Sequence, residues 1–242
     1  MTQLERSWKN VEPSGPSDPG TDPIEHLLWA ALLQDATPVK AREAQKRLLD
    51  EVSDFNELRV LLVEELAALL GPRYPNVHER SARLKMMLND VYNREHCVSL
   101  ESQTKAQKRD IKKYLESIDG VSPFVMARVF ALAFGGHAIP VDDRLLEKLI
   151  AAGVFDEGTA VTAAAGSLER AIKASDSTQA IAMLEAWAAD DAPVKPIAGK
   201  AASKKTTKKA ASKKKTTKKA ATKKTTRKKT TKKTTKKTSR KS

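Results

Sequence analysis

From Lys195 to the C-terminus the sequence repeats one unit. Lys-Lys-Thr-Thr-Lys-Lys stands at residues 204–209, 214–219 and 232–237, with Lys-Lys-Thr-Thr-Arg-Lys at 223–228. Nothing in this stretch can bury an apolar face. Dense like charge and β-branched Thr both oppose a helix, so residues 191–242 read as a disordered tail. Whatever folds must fold upstream. The charge divides at the same place. Of 44 Lys+Arg and 30 Asp+Glu, residues 195–242 hold 22 cations and no acid. Residues 1–194 hold the other 44 − 22 = 22 cations and all 30 acids, a balance of −8 against +22 for the tail. A polycation seeks a polyanion, and nucleic-acid phosphate is the expected partner. Binding would run through phosphate, through Lys204, Lys205, Lys208, Lys209, Lys214, Lys218, Lys232 and Lys236 among others. No aromatic residue is present there to stack on bases. The rival readings are a solubility tail and a polybasic membrane anchor; no acylation signal supports the second.

The body reads as all-α. Residues 1–21 carry Pro13, Gly15, Pro16, Pro19 and Gly20 and look like a flexible arm. Asp22 is an N-cap with Pro23 at the first helical position and Glu25 completing a capping box. Ile24, Leu27, Leu28, Ala31 and Leu32 then recur at helical spacing. Further helices are expected at about residues 38–50, after Asp54, and at 64–70, 75–93, 103–118, 123–133, 142–152, 157–174 and 177–189. No segment alternates with a period of two. The domain spans 22–190, long enough for a buried core. One cysteine, Cys97, excludes a four-cysteine zinc site or iron–sulfur cluster. No apolar run approaches the ~20 residues of a membrane span. With no signal-peptide pattern, the expected compartment is the cytoplasm, at the nucleoid, or the nucleus in a eukaryote.

The informative stretch is residues 118–149. A helix ends at Asp119-Gly120-Val121-Ser122-Pro123 and another begins at once. Gly120 supplies a backbone conformation closed to residues with a side chain. Ser122 caps the next helix, and Pro123 fits its first position. Amides left unpaired at such a turn can hold a phosphate. By itself the turn is an ordinary helix–helix connection.

This turn resembles the helix–hairpin–helix element of the endonuclease III-like (HhH-GPD) DNA glycosylases, usually Leu-Pro-Gly-Val-Gly. The resemblance continues through Phe134-Gly135 and Val141-Asp142, which follow Gly120 at the family's spacing. Upstream, Leu32-Leu33-Gln34-Asp35-Ala36-Thr37 is similar to the family's Leu-Ser-Gln-x-Thr segment. Gly71-Pro72-Arg73-Tyr74 with Ser81-Ala82 is similar to its Gly-x-Tyr…Lys-Ala loop. The resemblance implies two helical lobes with a cleft between them. Gly120, Val121 and Ser122 would grip the DNA backbone, and the substrate base would be flipped into the cleft. Asp142 matches the catalytic aspartate. An anion beside the anomeric carbon stabilises the positive charge that grows there as an N-glycosidic bond breaks, and it can orient the attacking water. Gln34 matches the residue that fills the gap left by the flipped base. Asp142 is also placed to cap a helix, and both roles can hold at once.

Three departures follow. The position of the family's Schiff-base lysine holds Phe124, and no lysine lies between Lys113 and Lys148, so strand cleavage is not expected. The four-cysteine cluster loop cannot be built, and no cofactor or metal is expected. The second hairpin glycine is Ser122, and the usual His after Val-Asp-x is Arg144, which would contact phosphate or pair with Asp143 or Glu147. The resulting expectation is a monomeric, monofunctional DNA glycosylase of base excision repair, held on DNA by its tail. The rivals are a nucleoid-type DNA-binding protein on a degenerate glycosylase fold, which the histone-like tail composition suits, and a helical protein–protein adaptor. His26, His78, His96 and His137 show no metal-ligand spacing and read as surface or helix-face residues. Met86 and Met87 read as core filler, as Trp29 does first. The stripe Lys105, Lys108, Arg109, Lys112 and Lys113 is either a solvated face or a backbone contact beside the hairpin.

Overall fold

The computed structural model describes residues 12–15 and 21–190. The tail lysines named above, and most of the expected arm, lie outside the described residues. Among the described residues there are ten α-helices, two 3₁₀ helices and no strand. The helices are α1 (Pro23–Leu33), α2 (Pro38–Glu51), α3 (Phe55–Val60), α4 (Val63–Leu70), α5 (Val77–Glu95), α6 (Lys108–Glu116), α7 (Pro123–Leu132), α8 (Asp143–Ala151), α9 (Val161–Ala171) and α10 (Ser177–Ala189). None is long and apolar enough to cross a membrane.

Local chemistry sets most of the starts. Asp22 accepts the Ile24 N–H at 3.0 Å and Thr37 the Lys40 N–H at 3.3 Å. Asp54 accepts from Glu57, whose carboxylate reaches back to the Ser53 N–H. Pro23, Pro38 and Pro123 each open a helix where their missing N–H costs nothing. The packing forms two cores. The larger gathers α1, α2, α4, α5, α6 and α7 around Ile24, Leu28, Leu48, Leu66, Leu88 and Leu115. The smaller joins the end of α7 to α8, α9 and α10 through Leu132, Val141, Leu145, Leu149 and Ile181. α1 is buried at every position but Glu25, rather than along the single stripe its spacing suggests, because it is the central helix, packed on α2, α5 and α7.

Several expectations are corrected. The helix expected at 103–118 is a 3₁₀ turn (Glu101–Lys105), an extended step at Ala106-Gln107, and then α6. Ile111, Leu115 and Ile118 are its buried side chains; upstream of Lys108 only Ala106 touches the core, and partly, which is too little to hold a helix there. The helix expected from 157 begins at Val161, because Gly158 takes φ 83°. α5 starts at Val77, after Asn76 in the left-handed region. His26 is fully buried rather than exposed, and Met86 is half exposed while Met87 is core. Of the arm, residues 12–15 are seated on the body: Pro13 is buried, and Ser14 donates its N–H and Oγ–H to Glu185 Oε2 at 2.9 and 2.6 Å. Arg128, wholly buried, pairs with Glu185 at 2.7 Å and donates to the Ser14 carbonyl.

Candidate active site

The hairpin is fixed from beneath by α5. Gly120 has φ 83°, and a Cβ there would lie 2.7 Å from the Arg83 carbonyl oxygen. Only glycine brings the turn this close to the helix. Asp90 accepts the Asp119 N–H at 2.9 Å. Arg94 pairs with Asp90 at 2.6 Å and donates to Ser117 Oγ at 2.6 Å. Arg83 Nε donates to the Gly120 carbonyl at 3.3 Å. The Val121 N–H returns to the Ile118 carbonyl, whereas the Gly120 and Ser122 N–H groups find no acceptor among the described residues. With the first turn of α7 beside them, these amides offer the partial positive charge that suits a phosphate oxygen.

The turn is joined to the loop between α1 and α2. Ser122 Oγ accepts the Val125 N–H at 3.2 Å, capping α7, and donates to Gln34 Oε1 at 2.7 Å. Arg80, reaching from α5, holds that loop in place: it donates to the carbonyls of Ala31, of Gln34 (2.5 Å) and of Pro75 (3.3 Å). Burial pushes the Arg80 guanidinium below its usual value, which still leaves it charged at neutral pH. Tyr74 donates its hydroxyl to the Leu32 carbonyl, and burial pushes that hydroxyl up to about 12. Tyr74 belongs to the Gly-x-Tyr-like loop noted in the sequence, whereas nothing there marks Arg80.

Asp142 begins α8 on the far side of this loop. Its Oδ1 accepts the Leu145 N–H at 2.9 Å, the N-cap bond, and its Oδ2 accepts the Asp35 N–H at 2.9 Å. A carboxylate has about four lone-pair sites, so each oxygen keeps capacity for a further partner. Asp142 is 8% exposed and lines a small cavity of about 30 Å³, room for about one water. Phe124, Leu33, Pro140, Leu145 and Ile181 make its apolar walls. A second cavity, also of about 30 Å³ and lined by Gln34, Asp35, Arg80, Arg83 and Gly120, lies on the hairpin side. The loop Gln34-Asp35-Ala36 lies between them.

Arg144 does not face outward to phosphate, nor does it pair with Asp143 or Glu147. It donates to the Ala36 carbonyl at 2.6 Å and to the Ala188 carbonyl at 3.1 Å. Lys148 donates to the carbonyls of Trp187 (2.8 Å) and Asp190. Two cations of α8 thus satisfy the orphan carbonyls at the end of α10. Of the stripe before the hairpin, Lys108 is taken up by the carbonyls of Phe134 and Gly135, while Lys105, Arg109 and Lys113 remain exposed. No three His, Cys, Asp or Glu side chains among the described residues are grouped to hold a metal.

The fold is met in solved structures. A non-covalent complex of endonuclease III with DNA matches with a TM-score of 0.59 at 14% identity, over 76% of this chain and 79% of that one. A thermostable thymine-DNA glycosylase matches at 0.57 and 19%, over 80% and 86%. This is the HhH-GPD glycosylase fold. At such identities the likeness concerns the fold. An 8-oxoguanine glycosylase/lyase from Clostridium acetobutylicum, bound to double-stranded DNA, shares the glycosylase fold at 0.56 and 15%, over 69% and 60%. The sequence matches no family model and no curated protein. On this fold the hairpin and Gln34 line one cavity, Asp142 and Phe124 line another across the α1–α2 loop, and α10 ends in a corner tied by Arg144 and Lys148.

Proposed function

We propose that this chain is a monofunctional DNA N-glycosylase of base excision repair, acting as a monomer on double-stranded DNA. The observation that carries the reading is Asp142. It is held at the start of α8, lining a pocket, 142 − 120 = 22 residues beyond a hairpin whose glycine cannot be replaced without a backbone clash. In this reading the amides of Gly120 and Ser122, with Val121 between them, hold a phosphate, and the small cavity beside Asp142 widens on DNA binding to take the target nucleotide. Gln34 faces the gap it leaves. As the C1′–N bond breaks, positive charge grows on the sugar and Asp142 stabilises it. Water then supplies the new C1′–O bond and its proton leaves with the base. Phe124 offers no amine for a Schiff base, so the strand stays intact at the abasic product. Residues 191–242 act as a cationic tether for the −8 body and keep it on nucleoid or nuclear DNA.

The test is incubation of the native chain with duplexes carrying single damaged or mismatched bases. The reading expects free base and an abasic strand that breaks only with alkali, and no borohydride-trapped adduct. A trapped adduct refutes the monofunctional part. No released base from any duplex, with DNA still bound, favours a second reading, a non-catalytic DNA-binding protein. One observation favours that rival: both Asp142 oxygens already accept main-chain N–H bonds.

A further inference from the structure

Asp35 is a carboxylate that no role above requires. It has φ 54°, the left-handed region, which Asp and Asn enter more readily than other residues with side chains. That backbone turn aims its N–H at Asp142 Oδ2 (2.9 Å), and its own Oδ1 accepts the Asp143 N–H at 3.2 Å. The two bonds run in opposite directions between residues more than a hundred apart in sequence. They close a clasp between the α1–α2 loop and the start of α8. The charged groups that act on Asp35 are Asp142 and Asp143 from α8 and Arg80 from α5, and Glu79 and Arg83 line the same cavity.

We infer that Asp35 is a positioning residue for Asp142, whose clasp on α8 holds that carboxylate in place and whose own protonation opens the clasp and sets the acid side of the activity profile. This rests on the glycosylase reading. Burial, and then the Asp142 charge, raise the Asp35 carboxyl above the usual carboxylate range. As the medium is acidified, Asp35 takes up a proton before ordinary carboxylates do. Protonation removes the negative charge that makes Oδ1 a strong acceptor for the Asp143 N–H. The start of α8, and Asp142 with it, is then held less firmly. Asparagine at this position keeps both the left-handed preference and an oxygen acceptor, and it does not titrate. Alanine keeps neither.

The experiment is single-turnover base release by the full chain across the acid range, for the native protein, Asp35→Asn and Asp35→Ala. Asp35→Asn is expected to keep most of the neutral-pH rate and to hold it to lower pH than the native protein. Asp35→Ala is expected to lose about ten- to a hundredfold at neutral pH, the gap to the native protein narrowing as acid opens the native clasp. An acid limb that is the same in the native and Asp35→Asn proteins overturns the inference, as does a native rate in Asp35→Ala. The Asp143 amide resonance gives a readout independent of activity. In the native protein it should shift with the Asp35 titration; in Asp35→Asn that shift should vanish, and in Asp142→Asn it should move to lower pH. If no base is released but this pattern appears, the glycosylase reading falls and the clasp stands. If the Asp143 amide does not titrate in the native protein, the clasp falls whatever the activity.

Discussion

Replacing Gly120 by alanine separates two physical costs that the hairpin imposes. The first is conformational. At φ 83° a residue with a side chain is strained by about 1–3 kcal/mol. The second is steric. The new Cβ would sit 2.7 Å from the Arg83 carbonyl oxygen, 3.2 Å from Met86 Cβ and 3.3 Å from Met87 Cγ. The Arg83 carbonyl is backbone in the middle of α5 and cannot rotate away. The hairpin must lift instead, at about 1–3 kcal/mol for an overpacked site. Gly153 provides the control, since it has φ 75° and open space around its Cα. Gly153→Ala should therefore carry only the first cost, about 1–3 kcal/mol, and Gly120→Ala the sum, about 2–6 kcal/mol. Urea unfolding followed by helical circular dichroism measures both, provided the m-value is unchanged. For a domain of this size the difference appears as a melting temperature lower by roughly 2–4 °C per kcal/mol. Equal losses in the two variants would refute the close seating of the hairpin on α5. So would a Gly120→Ala protein as stable as the native one.

Arg128→Met should cost about 3–5 kcal/mol, because it leaves the Glu185 carboxylate in a buried site without its partner. Adding Glu185→Leu should recover most of that loss in the same urea assay. The Tyr74 hydroxyl titrates at about 12 in the fold against 10.0 ordinarily. The folded state therefore holds this proton more tightly, and the stability it confers is complete below pH 10 and is lost as pH rises through about 12. Urea midpoints measured from pH 9 to 12 should fall by more in the native protein than in Tyr74→Phe. Deleting residues 195–242 should leave the melting temperature of the body unchanged. It should also flatten the dependence of log affinity for duplex DNA on log salt, since up to 22 cations are removed. An unchanged slope would mean that the tail does not meet phosphate.

What could be read in the sequence was local. Ser122 caps α7 through the residue three places on, Pro123 opens that helix, and Gly120 takes a conformation reserved for glycine. These short-range rules survive any tertiary arrangement; Asp142 is marked by the resemblance in spacing after Gly120, and local chemistry marks it only as a helix cap. What could not be read depends on how distant segments close on one another. Arg80 reaches Ala31 across 49 positions, Asp35 meets Asp142 across 107, and Arg144 meets Ala36 across 108. No periodicity encodes such pairs. The positive φ of Asp35 was the one available hint, since Asp after the end of a helix is a candidate for the left-handed region. Helix propensity also misled where no core supported it. Residues 103–107 look helical in composition but hold no fully buried residue, Ala106 alone packing partly on the core, so the chain turns there instead. His26 illustrates the converse, a polar residue carried into the interior because α1 is central.

The central claim concerns one carboxylate, and Asp142→Asn tests it with little change in shape. The amide oxygen can still cap α8 at the Leu145 N–H, so the helix should remain, and an unfolding curve verifies that. The measurement is the single-turnover rate of base release from the best duplex substrate, native against Asp142→Asn. The account predicts a fall of about 10²–10³-fold with DNA affinity retained. Equal rates in two equally folded proteins would contradict it.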